Sequence, residues 1–427
     1  MKKNILIFPA GSEIAFEIQN ALKYSKFVNL FGGTSIPDHS EYVFENLIAG
    51  FPRVDEEGFL QFLNRVIDDY HIDCVYPAHD SVSVFLSEHR DEIRAQVIIA
   101  DLETTTICRS KSETYTFFEG ESFIPRTYTL DCKEIPYPVF VKPTVGQGSN
   151  GAKVIQSYEK LLDAFQEDSS LVICEYLPGM EYTVDCFTDG KGNLLVAKLR
   201  DRSRIRNGIS VRSKSYADDP RVWEIAETIN SRMHFQGAWF FQLKRNTCGE
   251  YRLLEISPRI PGTMGLSRNM GINFPMLTLF VFWGYDVSII DNAYDIELDR
   301  AFYSAYRIQL EYEHIYLDFD DTMIVNGKVN QDIMRFVYQA VNQGKKLHLL
   351  SKHATDIYQD LRKYRIAEYL FDSIDVLAID DEKHRYINEE KAIFIDDSFA
   401  ERKKVHEMLG ISVFDVDMVE SLIDWRV

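Results

Sequence analysis

The apolar run Ile315-Tyr316-Leu317 passes directly into Asp318-Phe319-Asp320-Asp321-Thr322. Three apolar residues bounded by charge read as a buried strand. Whatever the region folds into, it must deliver two carboxylates, two residues apart, to the mouth of that strand. Such a pair suits phosphoryl transfer through a covalent aspartyl phosphate. One Asp attacks phosphorus and the other moves a proton to the leaving oxygen. An acidic turn that only caps a strand is the competing reading.

With 427 residues the chain has room for two or three domains, each with its own core. Its net charge of -19 argues against non-specific binding to nucleic acid or anionic membrane. Cys74, Cys108, Cys132, Cys174, Cys186 and Cys248 form no CxxC pair, which argues against a zinc site or disulfide framework. The opening Ile5-Leu6-Ile7-Phe8 meets Pro9 and Gly11 and is too short for a signal-peptide core. No apolar run reaches membrane-spanning length, and residues 274–283 fall short of it. A cytoplasmic protein is expected.

Residues 1–104 alternate strand and helix. Ile5-Leu6-Ile7-Phe8, Cys74-Val75-Tyr76 and Val97-Ile98-Ile99 read as strands. Ser12 is placed to cap a helix whose Ile14, Ile18 and Leu22 share a face. Phe59, Leu60, Leu63, Val66, Ile67 and Tyr70 mark a second helix. This predicts a small open α/β domain with a parallel sheet. Its first turn, Pro9-Ala10-Gly11-Ser12, lacks the glycine pattern of dinucleotide binding, so no cofactor is placed there. Residues 105–310 carry more strand signal, and residues 311–427 return to clean alternation. No Pro/Gly/Ser-rich linker, low-complexity segment or repeat separates these parts, which suggests docked domains.

In the middle segment, Val139-Phe140-Val141-Lys142-Pro143 ends a strand in lysine. Thr144-Val145-Gly146-Gln147-Gly148-Ser149-Asn150-Gly151 follows. Closely spaced glycines let the backbone turn its N–H groups toward one anion, and the lysine adds a point charge. No GK[ST] follows, so this is not a Walker loop. Phe240-Phe241-Gln242-Leu243-Lys244 and Leu253-Leu254-Glu255-Ile256-Ser257-Pro258-Arg259 read as paired strands. On them Gln242 and Glu255 offer oxygen ligands for Mg²⁺ and Arg259 a fork of donors for a phosphate.

Lys142, the glycine-rich loop, Glu175-Tyr176-Leu177, Gly179-Met180-Glu181, Gln242 and Glu255-Ile256-Ser257-Pro258-Arg259 occur in the order found in ATP-grasp enzymes. Over about the first 310 residues the chain resembles the branch similar to the carbamoyl-phosphate synthase large subunit. The resemblance implies that Lys111, Lys142 and the loop residues Gly146, Gly148 and Ser149 hold ATP phosphates. It implies that the backbone of Glu175 and Leu177 reads adenine and that Glu181 takes the ribose. Gln242 and Glu255 would bind Mg²⁺, and Arg259 would steady the γ-phosphate. Where the family usually has Asn as a third metal ligand, this chain has Ser257, whose hydroxyl can still coordinate. The implied chemistry is formation of an acyl phosphate from ATP and a small-molecule carboxylate, then displacement of phosphate by an amine. A kinase, a carbamoyl-phosphate synthase-like enzyme and a nucleotide-responsive binding protein are the alternatives. Only one ATP-grasp half is present, which disfavours a true carbamoyl-phosphate synthase.

Lys198, Arg200, Arg202, Arg204, Arg206, Arg212 and Lys214 reverse the chain's acidity locally, with Asp201 alone among them. In an extended segment Arg200, Arg202, Arg204 and Arg206 would share one face. That face is expected to receive the γ-phosphate and an anionic acceptor; a charge-protected edge strand is the alternative.

Partners for Asp318 and Asp320 follow in order. Ser351 ends the run Leu349-Leu350-Ser351, Lys383 lies in Asp381-Glu382-Lys383-His384, and Asp396-Asp397 end Ile393-Phe394-Ile395. Each falls at the carboxyl end of an expected strand, where open α/β sheets place their sites. Over residues 311–427 this set resembles the haloacid dehalogenase (HAD) phosphatases. The resemblance implies Asp318 as nucleophile, Asp320 as general acid/base, Thr322 and Ser351 as phosphoryl ligands, and Lys383 as charge stabiliser. Asp396 and Asp397 would bind Mg²⁺ with Asp318. Lys391 is a rival for Lys383. His353 and His384 read as surface or hydrogen-bonding residues rather than catalysts. A single helix between Thr322 and Ser351 leaves no room for a cap, and an open site suits a bulky phosphorylated small molecule. The expectation is an α/β and α+β multidomain chain. It comprises an N-terminal open α/β domain, an ATP-grasp fold and a C-terminal Rossmann-like HAD domain without a large cap. Nothing in the residues sets the oligomeric state.

Overall fold

The computed structural model describes residues 2–132, 134–146, 148, 150–206, 208–292 and 294–426. They gather into two compact units, Met1–Phe302 and Tyr303–Val427.

The first unit opens with a parallel sheet in the order Asn46–Ala49, Val28–Thr34, Lys3–Phe8, Cys74–Pro77, Gln96–Val97. Its central strand is apolar and buried from Ile5 to Phe8 because both faces are covered there. Ile5 and Ile7 join Ala15, Ile18 and Leu22 of the helix Glu13–Leu22, capped by Ser12, whose Oγ accepts from the Ala15 N–H at 3.0 Å. Leu6 and Phe8 point the other way, to Phe59, Leu63, Val66 and Ile67 of the helix Phe59–Asp69. The expected strand at residues 97–99 is only Gln96–Val97; Ile98 and Ile99 are buried beyond its end. Strand order reverses between Lys3–Phe8 and Cys74–Pro77, so the turns that follow them, at Pro9–Ser12 and Ala78–Asp80, flank a topological switch point.

Residues 1–104 keep one core of their own, around Leu6, Phe8, Phe59 and Leu63, and share the other with the rest of the unit. Ile5 and Ile7 belong to one cluster with Phe187, Val196, Ala238, Ile260, Phe274 and Leu279. Phe187, Val196 and Ala238 come from an antiparallel sheet ordered Leu194–Asp201, Glu181–Thr188, Gly237–Arg245, Tyr251–Ser257. On its covered side Phe241 and Leu243 pack with Val222, Ile225, Ala226 and Ile229 of the helix Pro220–Arg232. By strand alternation Gln242 points to the other side. The register lines up Arg200, Thr183, Gln242 and Glu255 as one row across all four strands. A second four-stranded sheet runs Thr127–Tyr128, Leu171–Glu175, Val139–Pro143, Lys153–Ile155.

The second unit repeats the first design. Its parallel sheet is ordered Ser373–Val376, Lys346–Ser351, His314–Leu317, Ala392–Ile395, Ser412–Phe414. Ile315, Leu317, Leu347, Leu349, Ile393 and Ile395 face one core with Ile333, Phe336 and Val337 of the helix Gln331–Asn342. Tyr316, Leu350 and Phe394 face the other. The order reverses between His314–Leu317 and Ala392–Ile395. Between Thr322 and Ser351 the chain holds the expected helix and also a small hairpin, Ile324–Val325 with Lys328–Val329. Asn326 and Gly327, both at positive φ, make that tight turn. Among the described residues no helix is long and apolar enough to cross a membrane.

Candidate functional sites

In the first unit two cavities, of about 280 and 350 Å³, share Lys111, Gly146, Gly148, Arg202, Gln242 and Glu255 in their walls. The smaller lies between the two four-stranded sheets. Phe140, Lys142, Val154 and Glu175 come from one sheet and Glu181, Gln242, Lys244 and Leu254 from the other, with Tyr176 and Leu177 completing an apolar end. The larger is closed by the switch-point turns of the parallel sheet, through Ser12, Glu13, His79 and Asp80. The row Arg200, Thr183, Gln242 and Glu255 lines the larger cavity from one side.

Lys142 is buried, and its Nζ donates to Tyr115 Oη at 2.7 Å and to the Leu254 carbonyl at 2.9 Å. Burial pulls its pKa below the ordinary lysine value. Lys111 opens the helix Lys111–Phe117; its Nζ donates to the Gly146 carbonyl at 3.3 Å and lies 4.0 Å from Glu255 Oε2. Gly208, at φ +75°, closes against the glycine-rich loop: a Cβ there would fall 2.3 Å from the Gly148 backbone. Ser149 lies outside the described residues. Glu175 is partly buried, its Oε1 accepting from the Arg126 N–H at 2.9 Å. Glu181 pairs with Arg202 at 2.8 Å. Gln242 and Glu255 are cross-strand neighbours, so two oxygen donors fit one divalent cation.

Asp80 is a residue that sequence reading missed. Its carboxylate takes Arg259 Nε at 2.6 Å and Nη2 at 2.8 Å, and Ser257 Oγ at 3.1 Å. The bidentate edge of Arg259 is thus filled by protein, and Nη1 donates to the Ile260 carbonyl at 3.0 Å. Ser257 likewise points to Asp80. Burial would raise the Asp80 pKa, but the charge of Arg259 holds it well below the usual carboxylate range. The signal in the sequence was Asp80 three residues past the apolar strand Cys74–Pro77, a looser form of the strand-then-carboxylate pattern at Asp318.

The single arginine face does not form. The strand Leu194–Asp201 ends before Arg202, and a new one, Arg204–Arg206, belongs to another sheet with Ile209–Lys214 and Glu297–Asp299. Arg200 is buried, donating to both oxygens of Asp185 at 2.9 and 3.0 Å. Arg202 donates to the Gly208 carbonyl at 2.7 Å. Arg204 is exposed and pairs with Asp299 at 2.5 Å, and Arg206 is exposed against Phe302. Only Arg200 and Arg202 reach the cavity walls.

In the second unit the strand ends at the switch point bring the expected set together. Lys383 Nζ lies 2.6 Å from Asp318 Oδ1 and 2.5 Å from Asp396 Oδ2, with all three side chains buried. Asp318, Asp396 and Asp397 each offer an oxygen within 4.8 Å of the others, a donor set that fits Mg²⁺. Thr322 Oγ1 accepts from the Asp397 N–H at 3.1 Å, and Ser351 is buried at the end of its strand. Arg402 fixes the Asp396 and Asp397 carbonyls at 2.6 and 2.7 Å. Lys391 is on the surface with Glu313, which leaves Lys383 as the lysine of the site. Burial pushes the Asp318 pKa up to about 6 against the pull of Lys383, and the neighbouring Asp396 adds to the rise. Burial opposes the charge on Lys383, but the two carboxylates outweigh it and raise its pKa.

Of the two roles expected for His353, surface or hydrogen-bonding, the structure shows the second. Its ring is only 7% exposed, with Nδ1 2.7 Å from Asp320 Oδ2 and Nε2 2.9 Å from Asp360 Oδ2. Burial would lower its pKa; the bonds to Asp320 and Asp360 raise it. His384, next to Lys383 in the short helix Lys383–Tyr386, is also buried.

Residues 167–297 match a family model described as "ATP-grasp in the biosynthetic pathway with Ter operon". Over 159 residues, 34% of this chain, the sequence is 25% identical to the carbamoyl phosphate synthase large chain of Pyrococcus furiosus. The match spans 15% of that relative's length. Among solved structures, the chain is similar to a biotin carboxylase–β,γ-ATP complex from Campylobacter jejuni, with a TM-score of 0.58 at 19% identity, over 67% of this chain and 72% of that one. It is also similar to an L-amino acid ligase from Bacillus licheniformis, with a TM-score of 0.54 at 17% identity, over 66% and 74%. The chain carries an ATP-grasp domain.

Two outcomes follow from the charge pairs. Asp80→Ala leaves Arg259 buried without its partner and should cost about 3 kcal/mol in denaturant unfolding, whereas adding Arg259→Met should recover most of it. Asp318 binds its proton more tightly in the fold than in the unfolded chain, so it weakens the fold as pH rises from about 4 to 6. In EDTA, Asp318→Asn should therefore match wild type below pH 4. It should gain on wild type through that window and hold a margin of at most about 3 kcal/mol above it.

Proposed function

We propose that the chain is a two-activity enzyme: an ATP-dependent carboxylate–amine ligase in the first unit and a Mg²⁺-dependent phosphatase in the second. The observation that carries the first is the meeting of two cavities along Lys111, Arg202, Gln242 and Glu255. One cavity has an apolar end for a base, and the other is polar and closed by the parallel sheet. The resemblance to a protein described as an L-amino acid ligase supports the same direction. Lys111, Lys142, Gly146 and Gly148 hold the phosphates. The backbone of Glu175 and Leu177 reads the adenine edge, and Glu181 binds the ribose once it exchanges Arg202 for ligand. Gln242 and Glu255 hold Mg²⁺, which neutralises phosphate charge when bound. An oxygen of the acceptor carboxylate attacks the γ-phosphorus as the bond to ADP breaks. An amine then attacks the acyl carbon, and phosphate leaves with the C–O bonding pair while the nitrogen sheds a proton. Because Asp80 fills the fork of Arg259, that arginine orders the cavity wall where Ser257 and Arg259 meet the N-terminal turn.

The second activity is carried by Lys383 between Asp318 and Asp396. Asp318 Oδ attacks phosphorus, and Asp320 protonates the departing oxygen. Water then attacks the aspartyl phosphate, with Asp320 taking its proton. Thr322 and Ser351 hold phosphoryl oxygens, and Lys383 balances their charge. Asp396 and Asp397 hold Mg²⁺ together with Asp318. The substrate is a phosphorylated small molecule tied to the ligase's own precursor or product. Free cysteines fit a cytoplasmic setting.

Release of ADP and phosphate should be screened over amino acids and sugar acids, and hydrolysis over a panel of phosphate monoesters. Lys142→Ala should lose ADP release at least a hundredfold and keep hydrolysis. Asp318→Asn should do the reverse. Joint loss in either folded variant, or phosphate retained on the acceptor, would contradict two separable activities of these kinds.

A further inference from the structure

The strongest unassigned feature is the chain Asp320–His353–Asp360 beside the second-unit site. Both ring nitrogens of His353 are engaged, Nδ1 with Asp320 and Nε2 with Asp360. Asp360 is itself fixed: Thr355 Oγ1 donates to it at 2.8 Å, and it sits on the helix Ile357–Lys363. The imidazole meets the buried Phe319 ring edge-on, with centroids 5.3 Å apart and planes at 83°. The ring is therefore clamped from three sides, while Asp320 at its far end is half-exposed. A surface carboxylate on a free rotor spreads over several orientations. This one has a single oxygen, Oδ2, tied to a buried ring, which fixes the direction of Oδ1.

We infer that His353 is a positioning residue for proton transfer to the leaving group: anchored by Asp360, it holds Asp320 in the orientation that protonates the departing alkoxide. The inference rests on the phosphatase reading of the same site. Its chemistry balances within that reaction. As the Asp318 Oδ–phosphorus bond forms, the phosphorus–oxygen bond to the leaving group breaks. The Asp320 proton moves to that oxygen, and Asp320 regains a proton from the water that later attacks the aspartyl phosphate. His353 supplies geometry and is regenerated unchanged. It follows that His353 matters in proportion to how badly the leaving oxygen needs a proton. A nitrophenolate departs unaided, whereas an alkoxide does not.

The test compares kcat/KM, which covers the steps through leaving-group departure, for p-nitrophenyl phosphate and for an alkyl phosphate such as glycerol phosphate. His353→Ala should depress the alkyl reaction at least tenfold more than the aryl one, within the range that general acid catalysis supplies. His353→Asn, whose amide can donate from near the position of Nδ1, should recover much of the alkyl rate, and Asp360→Ala should mimic His353→Ala more weakly. Equal losses on both substrates, with thermal unfolding unchanged or lowered alike in the Ala and Asn variants, would assign His353 a purely structural role. No loss on the alkyl ester would overturn the inference outright. Asp318→Asn is the control for the underlying reading: it should abolish both reactions, and if it does not, the phosphatase reading fails whatever His353 does.

Discussion

A parallel sheet covered on both faces has one place for charge, which is the ends of its strands. That constraint organises both units of this chain. In each, the central strand lies next to the point where strand order reverses, and carboxylates follow strands at that point: Asp80 after Cys74–Pro77 in the first unit, and Asp318 after the central His314–Leu317 and Asp396 after Ala392–Ile395 in the second. A carboxylate that is half withdrawn from water requires a cation. Asp80 has Arg259, and Asp318 and Asp396 share Lys383. The two pairings differ in consequence. Asp80 and Arg259 satisfy each other, so together they build a wall. Two carboxylates on one lysine leave charge over, and Asp397 adds more, so three carboxylate oxygens lie close enough together for one metal ion.

The same geometry explains why the N-terminal sheet and the antiparallel sheet act as one body. Ile5 and Ile7 share a core with Phe187, Val196 and Ala238, while Asp80 reaches across to Arg259 and Ser257. The larger cavity of the first unit is bounded by both sheets, and Ser12, Glu13, His79 and Asp80 bring the parallel sheet's turns into its wall.

Much of this was legible in the sequence where a signal is local. Short unbroken apolar runs marked the strands, the spacing of Phe59, Leu63, Val66 and Ile67 marked a helix, and Lys383 with Asp396 and Asp397 marked the second-unit cluster. What was not legible depended on partners distant in the chain. The arginines from 200 to 206 looked like one face because extended residues alternate. The strand ends at Asp201, however, and Asp185 and Asp299 draw Arg200 and Arg204 to different sheets. Asp80 lies 179 residues from Arg259, and no spacing rule connects them. His353 stands two residues past a strand end among polar neighbours, and only the turn through Thr355 and the helix bearing Asp360 bury it.

The central claim is that ATP activates a carboxylate in the first unit. It is tested most directly by following oxygen. With an acceptor whose carboxylate is labelled with ¹⁸O, the account predicts that one labelled oxygen appears in the released phosphate, in step with ADP. Phosphate that carries no label while ADP accumulates, or label that stays wholly on the acceptor, would contradict it.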